Sequence, residues 1–478
     1  DKDKAALDEL RSLVFQACEA LIGKSALATF RPLADQVVQF AAKFVAYDPD
    51  YFGDDQEDSD NEEDSMGCEK KDSEDKGGDE MMDDDGECFS GEDFSGSDFG
   101  DDDLASTSWK VRRDVLRCLV AIASVSASSV DLFGSVITQV FPLIIKRVQD
   151  HDENVRAEAL SAACAIFRSA GSVISAVHEK KVFALTTHLE SLIALLMTHS
   201  AVAARKVAKL LCNDKSLRIR SGCVQVASSL VRLEDILGTH KVSCEQNKDQ
   251  HQKLVSALSD ILAMINNVLG SAESGAASSS TTNSSDMTTA SLRMDSLAFV
   301  RAYFSMTSIS IVSFEQAVSV ASTIARCVTD SYLRSAAEAM RVVPSLVATI
   351  SRLCSADAKD SASPCVEGLA RAVIQELGLK TIDHEVKDAA IHALASILSE
   401  AGDLVSPSTR NDGCLPVLLT ALRTPESRMS GIKAILTLAT SRKPLDLSSV
   451  SGQFLAELCE SVKINNKQQR QTALAAAA

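Results

Sequence analysis

Apolar residues recur along most of this chain at steps of three and four, the spacing that places them on one face of an α-helix. One such stripe consists of Val386, Ala390, Ala393, Leu394, Ile397 and Ala401, whereas Lys387, Asp388, Ser396 and Glu400 fall outside it. A second stripe follows at Met429, Ile432, Leu436 and Ala439. The pattern predicts short amphipathic helices arranged in pairs.

The predicted helix pairs recur at intervals of about 40 residues. Leu292-Arg293 is followed after 41 positions by Leu333-Arg334, and Ile391 is followed after the same 41 positions by Ile432. Periods near 40 with two helices each are typical of HEAT-type repeats. Such a pair cannot bury its apolar stripe alone, so successive pairs stack around one continuous core. The sequence therefore predicts an all-α HEAT-repeat solenoid with a superhelical course.

An aliphatic residue followed by Arg or Lys marks the start of several predicted first helices. The examples are Val155-Arg156, Leu217-Arg218, Leu333-Arg334 and Val386-Lys387. The periodicity predicts helix pairs at about 3–47, 108–150, 152–213, 217–270, 291–328, 331–378, 384–423 and 427–463.

Residues 48–107 interrupt this pattern. Between Asp54 and Asp103 there are 24 acidic residues against three lysines, so this segment has a local charge of −21 in a chain of net charge −18. A segment this polar cannot bury a core and is predicted to be a disordered insertion. The predicted organisation is a helix pair (1–47), the acidic insertion (48–107), HEAT repeats (108–270), a Ser/Thr-rich loop (271–290) and further HEAT repeats (291–478).

Composition narrows the class of protein. Only 4% of residues are aromatic, and nine prolines in 478 residues give little support for strands. Thirteen cysteines lie mostly at apolar helical positions, among them Cys118, Cys164, Cys223 and Cys459, which favours core thiols in the reducing cytoplasm or nucleus.

The best apolar run, 189–197, is too short for a membrane span. Because the chain begins without Met or a signal pattern, we expect a section of a longer protein.

No arrangement of reactive residues predicts catalysis. The chain lacks a Gly-rich phosphate loop and a recognisable nucleophile–base frame, so we expect no enzyme and no cofactor. His240, Cys244 and His251 share one polar segment, but their spacing matches no zinc template and a fourth ligand is missing. We therefore predict an ordinary loop there and no metal site.

Charged and modifiable residues cluster around the acidic insertion. Lys110, Arg112, Arg113 and Arg117 follow it and form a candidate partner-binding cluster; alternatively, these charges stay in solvent or hold the acidic segment against its own helix. Ser90 and Ser95 each lie close to downstream acidic residues, a spacing that suits acid-directed kinases. We predict that both serines are phosphorylated.

A series of motifs resembles the cullin-associated, neddylation-dissociated protein family. The first is the junction in which Tyr47-Asp48-Pro49-Asp50-Tyr51 leads into the acidic segment, which ends at Ser108-Trp109-Lys110-Val111-Arg112-Arg113. The later ones, in the same order as in the family, are Pro142 to Val148 with Glu153-Asn154-Val155-Arg156, then Asn213 to Ile219, Asp383 to Lys387, and Pro444-Leu445-Asp446-Leu447. The resemblance is strongest over residues 26–156 and 383–450, and the loop at 271–290 is a departure from it.

This resemblance implies a scaffold that wraps an unmodified cullin and its RING subunit, blocks cullin neddylation, and promotes exchange of substrate-receptor modules in SCF complex assembly. It implies Trp109 as a packing residue of the repeat. We expect no nucleic acid, membrane or second copy of the chain as a partner. Two alternatives stay open: an importin-β-like nuclear transport receptor, and a hydrolytic or ATP-dependent enzyme with a helical regulatory region.

Overall fold

A computed structural model of the chain describes twelve stretches of the sequence. They are residues 2–24, 27–47, 107–180, 183–239, 248–270, 283–306, 312–379, 383–441, 443, 445–448, 450–463 and 467–477. The acidic segment, including Ser90 and Ser95, lies outside the described residues, as do His240 and Cys244.

The described residues form eighteen α-helices and contain no strand. The helices are α1 (Lys2–Lys24), α2 (Leu27–Val45), α3 (Ser108–Ser126), α4 (Val130–Gln139), α5 (Phe141–Arg147), α6 (Glu153–Lys180), α7 (Phe183–Asn213), α8 (Leu217–Thr239), α9 (Lys248–Gly270), α10 (Asn283–Ser305), α11 (Phe314–Val328), α12 (Leu333–Leu353), α13 (Lys359–Leu377), α14 (His384–Ala401), α15 (Leu415–Arg423), α16 (Arg428–Ala439), α17 (Ser451–Val462) and α18 (Lys467–Ala477). A π-helical segment, Thr409–Cys414, leads into α15.

The helices form two layers. The A layer consists of α1, α3, α6, α8, α10, α12, α14, α16 and α18, and each of these helices packs against the next one of the layer. The B layer consists of α2, α4, α5, α7, α9, α11, α13, α15 and α17, and it is continuous in the same way, with Thr409–Cys414 joining α13 to α15. Contacts between neighbouring helix pairs are the defining feature of a repeat solenoid, so the predicted fold class is confirmed.

The observed helices follow the predicted pairs closely, with three differences. The second helix of the 108–150 pair is divided into α4 and α5, with Pro142 in the first turn of α5, where a proline is tolerated. The helix α10 begins at Asn283, so part of the loop predicted at 271–290 is helical. The helix α18 lies beyond the last predicted pair and packs against α16 and α17.

Burial in α14 extends further around the helix than the predicted stripe. Ile391, Ala395 and Leu398 are buried together with all six stripe residues, because α12 and α16 cover the helix from both sides. Ser396, which was predicted to lie outside the stripe, is buried as well. Its hydroxyl donates a hydrogen bond of 2.9 Å to the carbonyl of His392, which satisfies the polar group within the helix.

The cysteine prediction is largely confirmed. Cys118, Cys164 and Cys223 are buried in the core, and burial raises the pKa of each of their thiols, to about 12 for Cys118 and about 11 for Cys164. Cys459 is the exception, because its thiol is exposed on α17. The core cysteines therefore behave as small apolar residues.

Two helices are apolar enough to span a membrane by length and composition alone. They cover Glu153–Glu179 and Lys248–Gly270, although neither is an uninterrupted apolar run. Buried core helices pass the same test, and 72% of the first window is buried inside the solenoid. These helices are thus weak evidence for a membrane segment.

The same ion pair recurs at three joints between repeats. An Arg of an A-layer helix binds an Asp in the joint before the next A-layer helix: Arg112 with Asp150 (3.1 Å), Arg156 with Asp214 (3.1 Å) and Arg293 with Asp330 (2.9 Å). In each case the Asp also accepts a hydrogen bond from the backbone N–H two residues later. The carboxylate therefore fixes the turn and attaches it to the preceding repeat.

A buried network closes the base of the acidic segment. Asp8 is almost fully buried, and its carboxylate accepts hydrogen bonds from Arg11 (2.9 Å), Tyr47 (3.0 Å) and Thr107 (3.1 Å). Tyr47 and Thr107 are the last described residues on either side of the segment. One carboxylate thus holds both ends, and the stacking of α1 on α3 is set independently of the residues between them.

A carboxylate on α13 holds the turn before the π-helical segment. Glu367 accepts hydrogen bonds from the backbone N–H of Ser406 (2.7 Å), from the hydroxyls of Ser406 (2.8 Å) and Thr409 (2.5 Å), and from Arg371 (2.8 Å). Burial alone would raise the pKa of Glu367, but these hydrogen bonds outweigh it and lower the pKa to about 2.

We predict that Arg112→Met destabilises the chain by about 1–3 kcal/mol, because it removes one of the two arginines that bind the buried carboxylate of Asp150 and leaves only Arg147. Arg117→Met is the matched control: its guanidinium pairs with Glu19 at an exposed site, where we expect a loss below about 1 kcal/mol. Urea unfolding followed by circular dichroism measures both. Equal losses in the two variants would contradict a structural role for Arg112.

Glu367 should make stability depend on pH in the acidic range. Its folded pKa of about 2 lies below the ordinary value of 4.5, so its stabilising effect is complete above pH 4.5 and is lost as the pH falls towards 2. The difference in unfolding free energy between the wild type and Glu367→Gln should therefore shrink across this range. Glu400→Gln, at an exposed position of α14, is the control. A difference that stays constant with pH would refute the assignment.

Removing residues 54–103 should leave the melting temperature nearly unchanged, because this segment contains too few apolar residues to contribute to the core. Asp8→Ala should lower the melting temperature clearly in the full chain and in the shortened chain, because both retain Tyr47 and Thr107. A large drop on deletion alone would show that the segment packs against the repeats. Scanning calorimetry of the four proteins decides the matter.

Candidate protein-binding surface

Polar side chains connect neighbouring helices along the A layer. We call this series the bridge stripe, and its contacts are Ser12 and Gln16 with Asp114, Glu19 with Arg117, Asn154 with Arg218, Ser221 and Gln225 with Asp295, Arg301 with Glu338, Arg341 with Glu385, and Asp388 with Ser430. The stripe joins α1 to α3 and then runs from α6 to α16, and its charges are largely balanced.

The basic cluster predicted from the sequence lies on α3, at one end of the bridge stripe, and three of its members are accessible. Lys110 and Arg117 are exposed, and Arg113 is partly exposed. Arg113 donates a hydrogen bond to the buried carboxylate of Asp114 at 2.8 Å, and its guanidinium lies 5.3 Å from the ring centroid of Trp109. Lys110 is thus the most available charge, because Arg113 also has a structural task and Arg117 pairs with Glu19 at 3.4 Å.

Arg112 does not belong to an accessible surface, and its assignment as a partner-binding residue is corrected. Its side chain is fully buried. The guanidinium binds the carboxylate of Asp150, the hydroxyl of Ser108 (3.1 Å) and the backbone carbonyl of Tyr47 (3.3 Å). Successive helical positions differ by about 100°, so Arg112 points inward while its neighbours Arg113 and Lys110 face solvent.

Trp109 is a packing residue, as predicted. Its indole is partly buried and packs against the core. The ammonium of Lys110 lies 5.8 Å from the ring centroid, on a position where a cation and an aromatic ring attract each other. Trp109 therefore orients the two basic side chains beside it.

Two open grooves interrupt the A-layer surface. The larger one, of about 450 Å³, lies between α6 and α8, with Leu160, Cys164 and Gly222 at its base and Glu158 and Arg218 among its lining residues. A smaller groove of about 350 Å³ lies between α12 and α14 and is lined by Arg341, Glu385, Asp388, Ala389 and His392. Both are mixed in polarity, which suits contact with a protein surface.

Glu158 is the unusual group of the larger groove. Burial raises the pKa of its carboxyl, and the charges of Arg117, Arg218 and Arg113 offset part of this effect. Glu158 makes no hydrogen bond or ion pair within the described ranges. A partner group that donates to this carboxylate would be favoured here, because it would compensate the burial.

The described residues include no group of three or more His, Cys, Asp or Glu side chains arranged to hold a metal ion. His251, the one described member of the considered zinc triad, binds the buried Glu234 at 2.6 Å between α8 and α9. The hydrogen bond to Glu234 raises the pKa of His251 above its ordinary value. Its role is thus to link two helices.

The polar bridges were not foreseen from the sequence. A weak signal exists, because Ser12 with Gln16 and Ser221 with Gln225 show the same Ser-x-x-x-Gln spacing and each pair binds an Asp of the next A-layer helix. The spacing of four places both side chains on one helical face. The Asp partner lies about one repeat or more away in the sequence, so only the packing identifies it.

Comparison with known proteins agrees with the sequence motifs. A family model described as "CAND1-like, TPR repeats" matches residues 266–394. Cullin-associated NEDD8-dissociated protein 1 of Arabidopsis thaliana is 26% identical over 468 residues, which cover 98% of this chain and 32% of that protein. The protein of the same name from Dictyostelium discoideum is 26% identical over 371 residues, covering 77% and 26%.

Among solved structures, a designed armadillo repeat protein matches 62% of this chain and 96% of its own, with a TM-score of 0.36 and 16% identity. The chain spans about a third of the length of the curated relatives that it matches. The matches in sequence confirm the resemblance: this chain is similar to the cullin-associated NEDD8-dissociated proteins, at 26% identity across 77–98% of its length.

Proposed function

We propose that this chain is a non-catalytic scaffold that binds unmodified cullin together with its RING subunit. The observation that carries the proposal is the extent of the match, because relatives named for cullin association align with as much as 98% of the chain. The architecture supports it: a two-layer solenoid offers a long, rigid surface to an elongated partner. In this role the protein would block cullin neddylation and promote exchange of substrate-receptor modules. Its place would be the cytoplasm or the nucleus.

The bridge stripe is the surface we assign to this contact. Its internal ion pairs keep the A-layer helices in register, so little conformational freedom is lost when a partner binds. Lys110 and Arg117 stand at one end of the stripe with exposed charges and are proposed as partner contacts. Arg113 supports them through Asp114 and Trp109.

We predict that the chain binds cullin with its RING subunit, and that attachment of the ubiquitin-like modifier to the cullin abolishes this binding. Lys110→Glu with Arg117→Glu should weaken binding by about tenfold or more, because two contacts become repulsive. Lys253→Glu with Lys433→Glu is the matched control, since both positions are exposed and the net charge changes equally. Isothermal titration measures the affinities.

Ran bound to GTP is tested in parallel. Binding to Ran and not to cullin would replace the proposal by the transport-receptor alternative. No binding to cullin at any attainable concentration would overturn the proposed function, and equal losses in the charge-reversed variant and its control would remove Lys110 and Arg117 from the contact.

A further inference from the structure

A run of basic residues lies at the joint between α7 and α8. Residues 205–220 contain six basic residues and one acidic residue, Asp214. These residues cover the last turns of α7, the joint and the first turn of α8, so all of them lie around one helix–helix joint. We call Arg205, Lys209, Lys215 and Arg220 the joint patch.

The single acidic residue of this region is already occupied. The carboxylate of Asp214 binds Arg156 at 3.1 Å through one oxygen and the backbone N–H of Ser216 at 2.9 Å through the other. Arg218 is engaged as well, since its guanidinium donates a hydrogen bond to the amide oxygen of Asn154. Asp214 therefore cannot neutralise the joint patch.

The four side chains of the joint patch make no hydrogen bond or ion pair within the described part of the chain. Arg205, Lys209 and Lys215 are exposed. Arg220 is half-buried, and its Nε atom is buried without a hydrogen-bond partner. Arg220 therefore adds a cation that has no acidic partner among the described residues.

At the preceding joint, between α5 and α6, the charged residues pair with one another. There Arg112, Arg147 and Asp150 form one closed network, and Arg156 reaches the carbonyls of Asp150 and His151. The first turn of α6 also carries an acidic residue, Glu153, whereas the first turn of α8 carries none. Positive charge near a helix N-terminus is unfavourable, so an added anion would stabilise this end of α8.

We propose that the joint patch is a second docking surface, which binds an acidic segment of a partner protein. Charge complementarity carries the inference: two lysines and two arginines in one small area provide both point charges and forked donors for carboxylates. A nucleic acid is disfavoured, because residues 205–220 contain no aromatic side chain for base stacking. This surface is independent of the proposed cullin contact.

The probe is a fluorescently labelled poly-glutamate peptide, titrated with the full chain at low and at physiological salt. The wild type should bind it, and more weakly as salt rises, because exposed charges are screened. Lys209→Glu with Lys215→Glu should weaken binding by about tenfold or more, since attraction becomes repulsion. Arg334→Glu with Arg352→Glu, two exposed positions of α12, imposes the same change in net charge and should leave binding nearly unchanged. Circular dichroism confirms that both variants are folded.

The following results would contradict the proposal. An absence of peptide binding, or an equal loss in both double variants, would overturn it. A single-stranded oligonucleotide that binds more tightly than poly-glutamate would assign the patch to nucleic acid instead. Binding that appears only after removal of residues 54–103 would exclude a separate partner, because the chain's own acidic residues would then compete for the patch. Cullin binding, measured on the same variants, tests the proposed function separately.

Discussion

The fold depends on one constraint: no helix pair in this chain can bury its apolar residues without a neighbouring pair. The helix α14 shows this most clearly, because α12 and α16 cover it on both sides and bury all six residues of its apolar stripe. Each A-layer helix between α3 and α16 is enclosed in the same way. Stability is therefore a sum of contacts between neighbouring repeats, and these contacts also fix the shape of the surface that a partner meets.

Polar groups buried between the repeats need hydrogen-bond or ion-pair partners. In this chain, charged residues at the joints between repeats provide them. A charged group that is buried in an apolar core without partners costs free energy of folding. The buried pair of Arg112 and Asp150 and the carboxylate of Asp8 therefore each have several hydrogen-bond partners. These interactions set where one repeat ends and the next begins. These interactions therefore fix the geometry of the joint as well as stabilising the fold.

Ion pairing within the protein also distinguishes the charges that stabilise the fold from those that are available to bind a partner. Along the bridge stripe most charges are matched within the protein, as in the series from Arg301 through Glu338 and Arg341 to Glu385. Lys110 at one end of the stripe, and the joint patch at the α7–α8 turn, retain exposed positive charge.

The sequence by itself determined the architecture. The steps of three and four, the period near 40 and the family motifs gave the helix pairs nearly as they are observed, because helical periodicity is a local property of the chain. It also correctly assigned Trp109 to packing. The sequence could not determine which charged side chains are buried and which are exposed. Arg112 and Arg113 are adjacent in the sequence, yet one is buried against Asp150 and the other is partly exposed. Only the tertiary structure decided this, because Asp150, the residue that binds the buried Arg112, lies 38 positions away in the sequence.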